Sequence, residues 1–115
     1  MKKILIIGAG NIGLRHLQGV LSSKHKLLIT LVDPNLESLN KCKERTDEIH
    51  FDKSFKKISY RQEIPKKENY EICIISTNAD VRSKVAKDLL NNCKVRFIIF
   101  EKFAFVIIKS ELFTK

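Results

Sequence analysis

The stretch Ile4-Leu5-Ile6-Ile7-Gly8-Ala9-Gly10-Asn11-Ile12-Gly13 sets four aliphatic residues directly before three glycines at the spacing G-x-G-x-x-G. Behind it Leu14, Leu17 and Leu21 fall on one helical face, so strand, tight turn and amphipathic helix follow in that order. The chain has four glycines, Gly8, Gly10, Gly13 and Gly19, all within its first nineteen residues, which argues against scattered loop punctuation. Three of them have separate expected roles. Gly8 turns the chain out of the strand, Gly10 leaves room for a pyrophosphate to approach the backbone, and Gly13 lets the helix lie close to the sheet. The amides of Asn11, Ile12 and Gly13 then point donors, backed by the helix dipole, at such an anion. A strand-to-helix turn that holds no ligand is the alternative reading.

The next apolar run, Leu27-Leu28-Ile29-Thr30-Leu31-Val32, reads as a buried parallel strand ending in Asp33. Asp33 lies twenty residues after Gly13, where a dinucleotide-binding unit places an acid to accept hydrogen bonds from the adenosine ribose hydroxyls. Its charge repels a 2′-phosphate, and Pro34 and Asn35 supply no arginine to offset it, so NAD is favoured over NADP. Asp33 has a second available role, as cap of the following helix with Pro34 at the first helical position.

Farther along, a helix is expected from Asn35 to Arg45 with Leu36, Leu39 and Cys42 facing inward, and a short third strand at Ile49-His50-Phe51. Residues 52–69 are lysine-rich and sparsely apolar, which reads as a short helix or turn at Ser54 to Ile58 followed by loop, with the lysines as a solvated face and a phosphate or nucleic-acid role as the lesser alternative. Tyr70 to Ile75 is a fourth strand ending in Ser76-Thr77-Asn78. Asn78 can cap a helix carrying Val81, Val85, Ala86, Leu89 and Leu90 at helical spacing, which Asn91 and Asn92 stop. Val95 to Phe100 is a fifth strand leading into Glu101-Lys102. These elements predict a doubly wound α/β Rossmann fold, a mostly parallel sheet of about five strands in the order 3-2-1-4-5 with helices on both faces. Ligands bind at the carboxyl ends of such strands, so Ser76, Thr77 and Asn78 should border the nicotinamide ribose, with turn and cap roles as the alternative for each.

Composition narrows the class. At 115 residues, with 43% hydrophobic and 30% charged content, the chain fits a single domain with a real core, and no apolar run is long enough to span a bilayer. The short apolar run near the N-terminus leads straight into the glycine turn and is read as a strand rather than a signal peptide, which places the protein in the cytoplasm. Cys42, Cys73 and Cys93 are odd in number and widely spaced, against a disulfide framework or zinc site. The formal charge of +9 is read as a lysine-rich surface, since no aromatic residues interleave with a basic helix to suggest nucleic acid.

Taken together, Gly8-Ala9-Gly10-Asn11-Ile12-Gly13 with His16, Leu31-Val32-Asp33-Pro34, Ile74-Ile75-Ser76-Thr77-Asn78 and Glu101-Lys102 make the chain resemble the N-terminal NAD(P)-binding Rossmann domain of the glucose-fructose oxidoreductase and inositol dehydrogenase family, Gfo/Idh/MocA. The resemblance spans residues 1 to about 103. It implies that Glu101 and Lys102 belong to the family's Glu-Lys-Pro motif beside the cofactor, with Lys102 reaching the nicotinamide side and the substrate hydroxyl as a catalytic residue. It implies a sugar or polyol substrate. Phe103 replaces the motif's proline, and Arg82 stands where many members have histidine. His16 is read as a helical surface or satisfied histidine rather than a catalytic one.

Family members add a second α/β domain that supplies the substrate wall and a catalytic histidine, and no histidine follows Lys102 here. The expectation is therefore a dinucleotide-binding domain over residues 1–103, incomplete for catalysis alone, with a non-catalytic nucleotide sensor or scaffold as the alternative function. Residues 104–115 form an apolar tail, expected to be an extra strand or the start of a truncated next element, and to favour self-association or a partner chain.

Overall fold

The first aliphatic run forms β1 (Lys2–Ile7), and its side chains are buried from Ile4 to Ile7 without alternation, because a central strand of a parallel sheet is covered on both faces. The structure is a computed structural model that describes residues 2–49, 56–101 and 105–109. After β1 come α1 (Asn11–Leu21), β2 (Leu27–Val32), α2 (Leu36–Asp47), β3 (Lys56–Arg61), β4 (Glu68–Ile75), α3 (Ala79–Asn92), β5 (Cys93–Glu101) and β6 (Phe105–Lys109). The sheet order is β3-β2-β1-β4-β5-β6. The first five strands run parallel, and β6 adds antiparallel to β5. This is the doubly wound Rossmann arrangement with the order 3-2-1-4-5, extended by one edge strand.

Alternation along β1 divides the core in two. Ile4 and Ile6 pack with Leu17 and Leu21 of α1 and Leu39 and Cys42 of α2 on one face. Leu5 and Ile7 pack with Cys73 and Ile75 of β4 and Leu89 of α3 on the other. The helices thus cover opposite faces, and the chain changes face between the unit built on β1 and the unit built on β4.

The third strand is not where the apolar pattern suggested. Ile49 lies in the turn closing α2, its N–H donating to the Thr46 carbonyl at 3.0 Å, while His50 and Phe51 lie outside the described residues. The strand pairing with β2 is Lys56–Arg61, in the segment expected to begin as helix or turn and continue as loop. Its inward positions are Lys56, Ile58 and Tyr60. Lys56 is only 4% exposed, and its ammonium donates to the Ser23 carbonyl at the end of α1. A lysine stem at an inward position masks a two-residue period, because the stem buries like an aliphatic chain while the head finds a carbonyl.

The crossover from β3 to β4 also departs from the usual plan. Parallel strands are ordinarily joined by a helix, whereas here residues 62–67 carry the chain across as a strap. It is pinned at three points. Gln62 Nε2 donates to the Pro34 carbonyl (3.1 Å), Cys93 Sγ donates to the Pro65 carbonyl (2.9 Å), and the Lys67 N–H donates to the Asn92 carbonyl (2.7 Å). Lys67 takes a φ of 59°, which lets the strap bend into β4. Among the described residues no helix is long and apolar enough to cross a membrane.

Candidate functional site

β1 leads into α1 on one face and β4 into α3 on the other, so the two connections part and leave a crevice at the carboxyl edge of the sheet. The glycine turn forms its floor. Gly8 takes a φ of +106°, and a Cβ there would come within 3.1 Å of the Ser76 carbonyl carbon and oxygen. Two further bonds hold this junction: Gly8 N–H donates to the Val32 carbonyl and Ser76 N–H to the Ile7 carbonyl, each at 2.8 Å. At Gly13 a Cβ would lie 1.8 Å from the Gly8 carbonyl oxygen, so α1 starts against the turn itself. Gly10 is different. Nothing stands within 4 Å of where its Cβ would be, so the turn is closed beneath and open above. A cavity of ≈ 610 Å³ opens beside Gly10 and Asn11 between α1 and α2.

The first helical hydrogen bond of α1 is Leu14 N–H to the Gly10 carbonyl (2.9 Å), so the amides of Asn11, Ile12 and Gly13 precede it. No side chain caps this end, and no acidic residue stands in its first turn. The positive end of the helix is left for an anion.

Asp33 ties the second strand to this turn. Its Oδ2 accepts the Ala9 N–H and its Oδ1 accepts the Asn35 N–H, both at 2.8 Å. It is not the cap of α2. Asn35 is, accepting the amides of Glu37 (2.9 Å) and Ser38 (3.2 Å), with Pro34 outside the helix. Each Asp33 oxygen retains a lone pair for a ligand hydroxyl.

Cys42 completes a clamp that its sequence position did not reveal. From α2 its Sγ donates to the Ala9 carbonyl at 3.2 Å, so the peptide groups of Ala9 are held on the N–H side by Asp33 and on the C=O side by Cys42. Burial foremost, and the Asp33 charge second, push this thiol above its ordinary value of 9.0, which keeps the proton it donates. The folded state therefore holds this proton more tightly than the unfolded chain. That contribution to stability is fully present below about pH 9 and is lost as pH rises through the raised value. Burial raises Cys73, Cys93 and Tyr60 in the same direction and pushes Tyr70 up to about 12. Urea midpoints should be insensitive to these groups between pH 7 and 8.5 and decline above pH 9. Cys42→Ala should cost about 1–2 kcal/mol at pH 7 and make that alkaline decline shallower. An unchanged alkaline slope in the variant would remove Cys42 from this account.

On the far side of the crevice, Ser76 Oγ and Thr77 Oγ1 are buried with no hydrogen-bond partner among the described residues. Two adjacent orphaned hydroxyls at the end of a central strand call for an explanation, since buried polar atoms are nearly always paired. Asn78 occupies the N-cap position of α3, but its side chain makes no capping bond, and its backbone carbonyl alone accepts from Val81 (3.2 Å) and Arg82 (3.0 Å). The expected side-chain cap is thus absent, and the exposed Asn78 side chain is left at the crevice rim. Glu101 ends β5, opposite Phe105 in the ladder, and Lys102 lies outside the described residues. His16 is half-buried on α1, and the Arg82 guanidinium sits 5.9 Å from the Phe100 ring centroid.

An apolar rim was not foreseen. Ile12, Leu36 and Val81 are 37%, 55% and 44% exposed, and each lies in the first turn of its helix, hence at the carboxyl edge of the sheet. Leu36 had been expected to face the core and Val81 to share the buried stripe of α3. The available signal was position, because a first-turn residue projects beyond the end of the strand layer it would pack on.

Residues 2–102 match the family model Gfo/Idh/MocA, described as an oxidoreductase family with an NAD-binding Rossmann fold. No curated protein sequence matches the chain significantly.

Proposed function

This chain belongs to the Gfo/Idh/MocA oxidoreductase family, and from that premise we propose that its crevice binds NAD(H) in preference to NADP(H) as the cofactor module of a sugar or polyol oxidoreductase. The pyrophosphate lies over Gly10, against the amides of Asn11, Ile12 and Gly13, with Gly8 shaping the turn. Asp33 accepts from the adenosine ribose, and its charge opposes a 2′-phosphate. Ser76, Thr77 and Asn78 border the nicotinamide ribose, and the family motif assigns Glu101 and Lys102 to the substrate side of the cofactor. NAD(H), when bound, supplies hydride acceptance or donation. The residues of this chain bind and orient it, and the family's Glu-Lys-Pro motif assigns Lys102 to the substrate hydroxyl.

The observation that carries this reading is the pair of orphaned hydroxyls on Ser76 and Thr77 just past the end of β4, with Ser76 packed against Gly8 of a glycine turn that is open at Gly10. Ribose hydroxyls and a pyrophosphate have the complementary chemistry. Turnover further requires a general base and walls around the reacting carbon, which a second α/β domain or a partner chain would supply. The outer edge of β6 suits such an association, being the end of the sheet. Three buried free thiols fit a cytoplasmic setting.

NADH fluorescence titration tests the proposal. The wild-type chain should bind saturably and more tightly than it binds NADPH. Gly10→Val should weaken binding at least about tenfold with a melting temperature within a few degrees of wild type, because the added side chain enters open space rather than protein. Equal binding by the variant would sink the assignment.

A further inference from the structure

We propose that the protein carries a second anion site, beneath the strap of residues 62–67, that takes a small, multiply charged phosphate-type anion. α1 and α2 cover one face of β1, β2 and β3, and α3 covers the opposite face of β1 at Leu5 and Ile7, whereas Thr30 of β2 and Lys57, Ser59 and Arg61 of β3 line a recess under the strap. Between strap and sheet is a cavity of ≈ 310 Å³ whose lining includes Lys3, Lys57, Arg61 and Lys66, with Glu68 as its single carboxylate. Glu68 is already paired with the Lys3 ammonium. No carboxylate among the described residues pairs with Lys57, Arg61 or Lys66.

Three cations thus converge on one recess in which the single lining carboxylate, Glu68, is paired with Lys3, an arrangement that repels itself until an anion enters. Lys57 and Arg61 face the cavity because they share the outward period of β3 with Ser59, opposite the buried Lys56 and the half-buried Ile58 and Tyr60. The floor offers neutral hydroxyls from Thr30, Ser59 and Tyr70, and the Tyr70 phenol, pushed up to about 12, keeps its proton at neutral pH. The wall is preorganised, since the strap is held by its bonds to Pro34, Cys93 and Asn92, so little ordering accompanies binding.

The site is centred away from the glycine turn. Lys3, Lys57 and Glu68 stand at the amino-terminal ends of β1, β3 and β4, whereas the glycine turn follows the carboxyl end of β1, and Arg61, the last residue of β3, is the one cation beside Asp33, whose N–H donates to its carbonyl at 3.1 Å. The cavity is at the small end of ligand pockets, suited to a phosphate or pyrophosphate group rather than a whole dinucleotide. It is a recess and not a stripe, which favours a compact anion over a nucleic-acid backbone.

The test is a titration of the isotopically labelled full chain with pyrophosphate, followed by amide NMR shifts at constant ionic strength. We expect saturable shifts at Lys57, Ser59 and Lys66, weakened about tenfold by the double variant Lys57→Gln/Lys66→Gln. The variant should keep its melting temperature and its NADH affinity, since both side chains are exposed and lie away from the crevice. A parallel titration with glucose 6-phosphate separates the two sources of the anion: tighter binding than pyrophosphate identifies a phosphorylated metabolite, weaker binding an inorganic one, and either supports the site. Shifts confined to residues 8–13, shifts reproduced by added sodium chloride, or wild-type affinity in the double variant would each overturn it. A short DNA duplex that moves the same amides when pyrophosphate does not would replace it with a nucleic-acid contact.

Discussion

Gly13→Ala is expected to remove at least about 3 kcal/mol of stability, a large share of the total for a domain of this size. The added Cβ would stand 1.8 Å from the Gly8 carbonyl oxygen and 2.8 Å from its carbon. Both are backbone atoms. Gly8 cannot yield, because its N–H is bonded to Val32, its φ is +106°, and the space at its α-carbon is bounded by Ser76. Relief therefore requires α1 to lift from the sheet, exposing Leu17 and Leu21, which are almost fully buried. Urea denaturation followed by circular dichroism measures the loss, and NADH binding should fall with it. Gly10→Ala is the matched control, with an expected cost below about 1 kcal/mol, since its Cβ meets nothing. A Gly13→Ala midpoint as high as that of the control would show that α1 does not need this approach.

Asp33→Ala is the second large effect, about 2–3 kcal/mol of stability together with at least about a tenfold loss of NADH affinity. Both carboxylate oxygens accept backbone amides in the absence of ligand, one from Ala9 in the glycine turn and one from Asn35 at the entry to α2. Removing them deprives the Ala9 and Asn35 amides of their acceptor and leaves Ala9 tied through its carbonyl to the Cys42 thiol. Asp33→Asn should lose less, because the amide oxygen still accepts one of the two bonds while the NH2 group faces a donor. Replacing Asp33 by serine should not produce an NADPH-binding protein, since the change that removes the repulsive charge also loosens the turn that receives the pyrophosphate. Paired chemical denaturation and titration of both nucleotides check this. Wild-type stability in Asp33→Ala would confine the residue to ligand contact, and wild-type NADH affinity would remove it from the ribose site.

Much of the fold was legible because its signals are local. The run Ile4 to Ile7 followed by G-x-G-x-x-G needs no distant information to read as strand, turn and helix, and the aliphatic content of β2, β4 and β5 marks buried parallel strands. The third strand was misplaced for an equally specific reason. Ile49-His50-Phe51 offered apolar residues without a partner, while Lys56-Lys57-Ile58-Ser59-Tyr60-Arg61 hid its period behind a lysine whose stem is buried. At the site, Asp33 and the glycines were found by spacing. Cys42 was not, since its role depends on a carbonyl thirty-three residues earlier in the chain. The apolar rim of Ile12, Leu36 and Val81 escaped because helical periodicity reports which face a residue occupies and not whether that face extends past the sheet.

The sequence by itself determined the strand-turn-helix unit, the buried strands β1, β2, β4 and β5 and the residue types gathered at the carboxyl edge, because backbone sterics at glycine and the burial of aliphatic runs act over a few neighbouring residues. Tertiary structure alone decided that Asp33 and Cys42 clamp opposite sides of Ala9. It also decided that Ser76 and Thr77 keep unpaired hydroxyls and that a strap stands in place of a helix over a basic recess. Those features depend on which groups from distant segments meet in space, and hydrogen bonding and charge convergence have no period along the chain by which to be read.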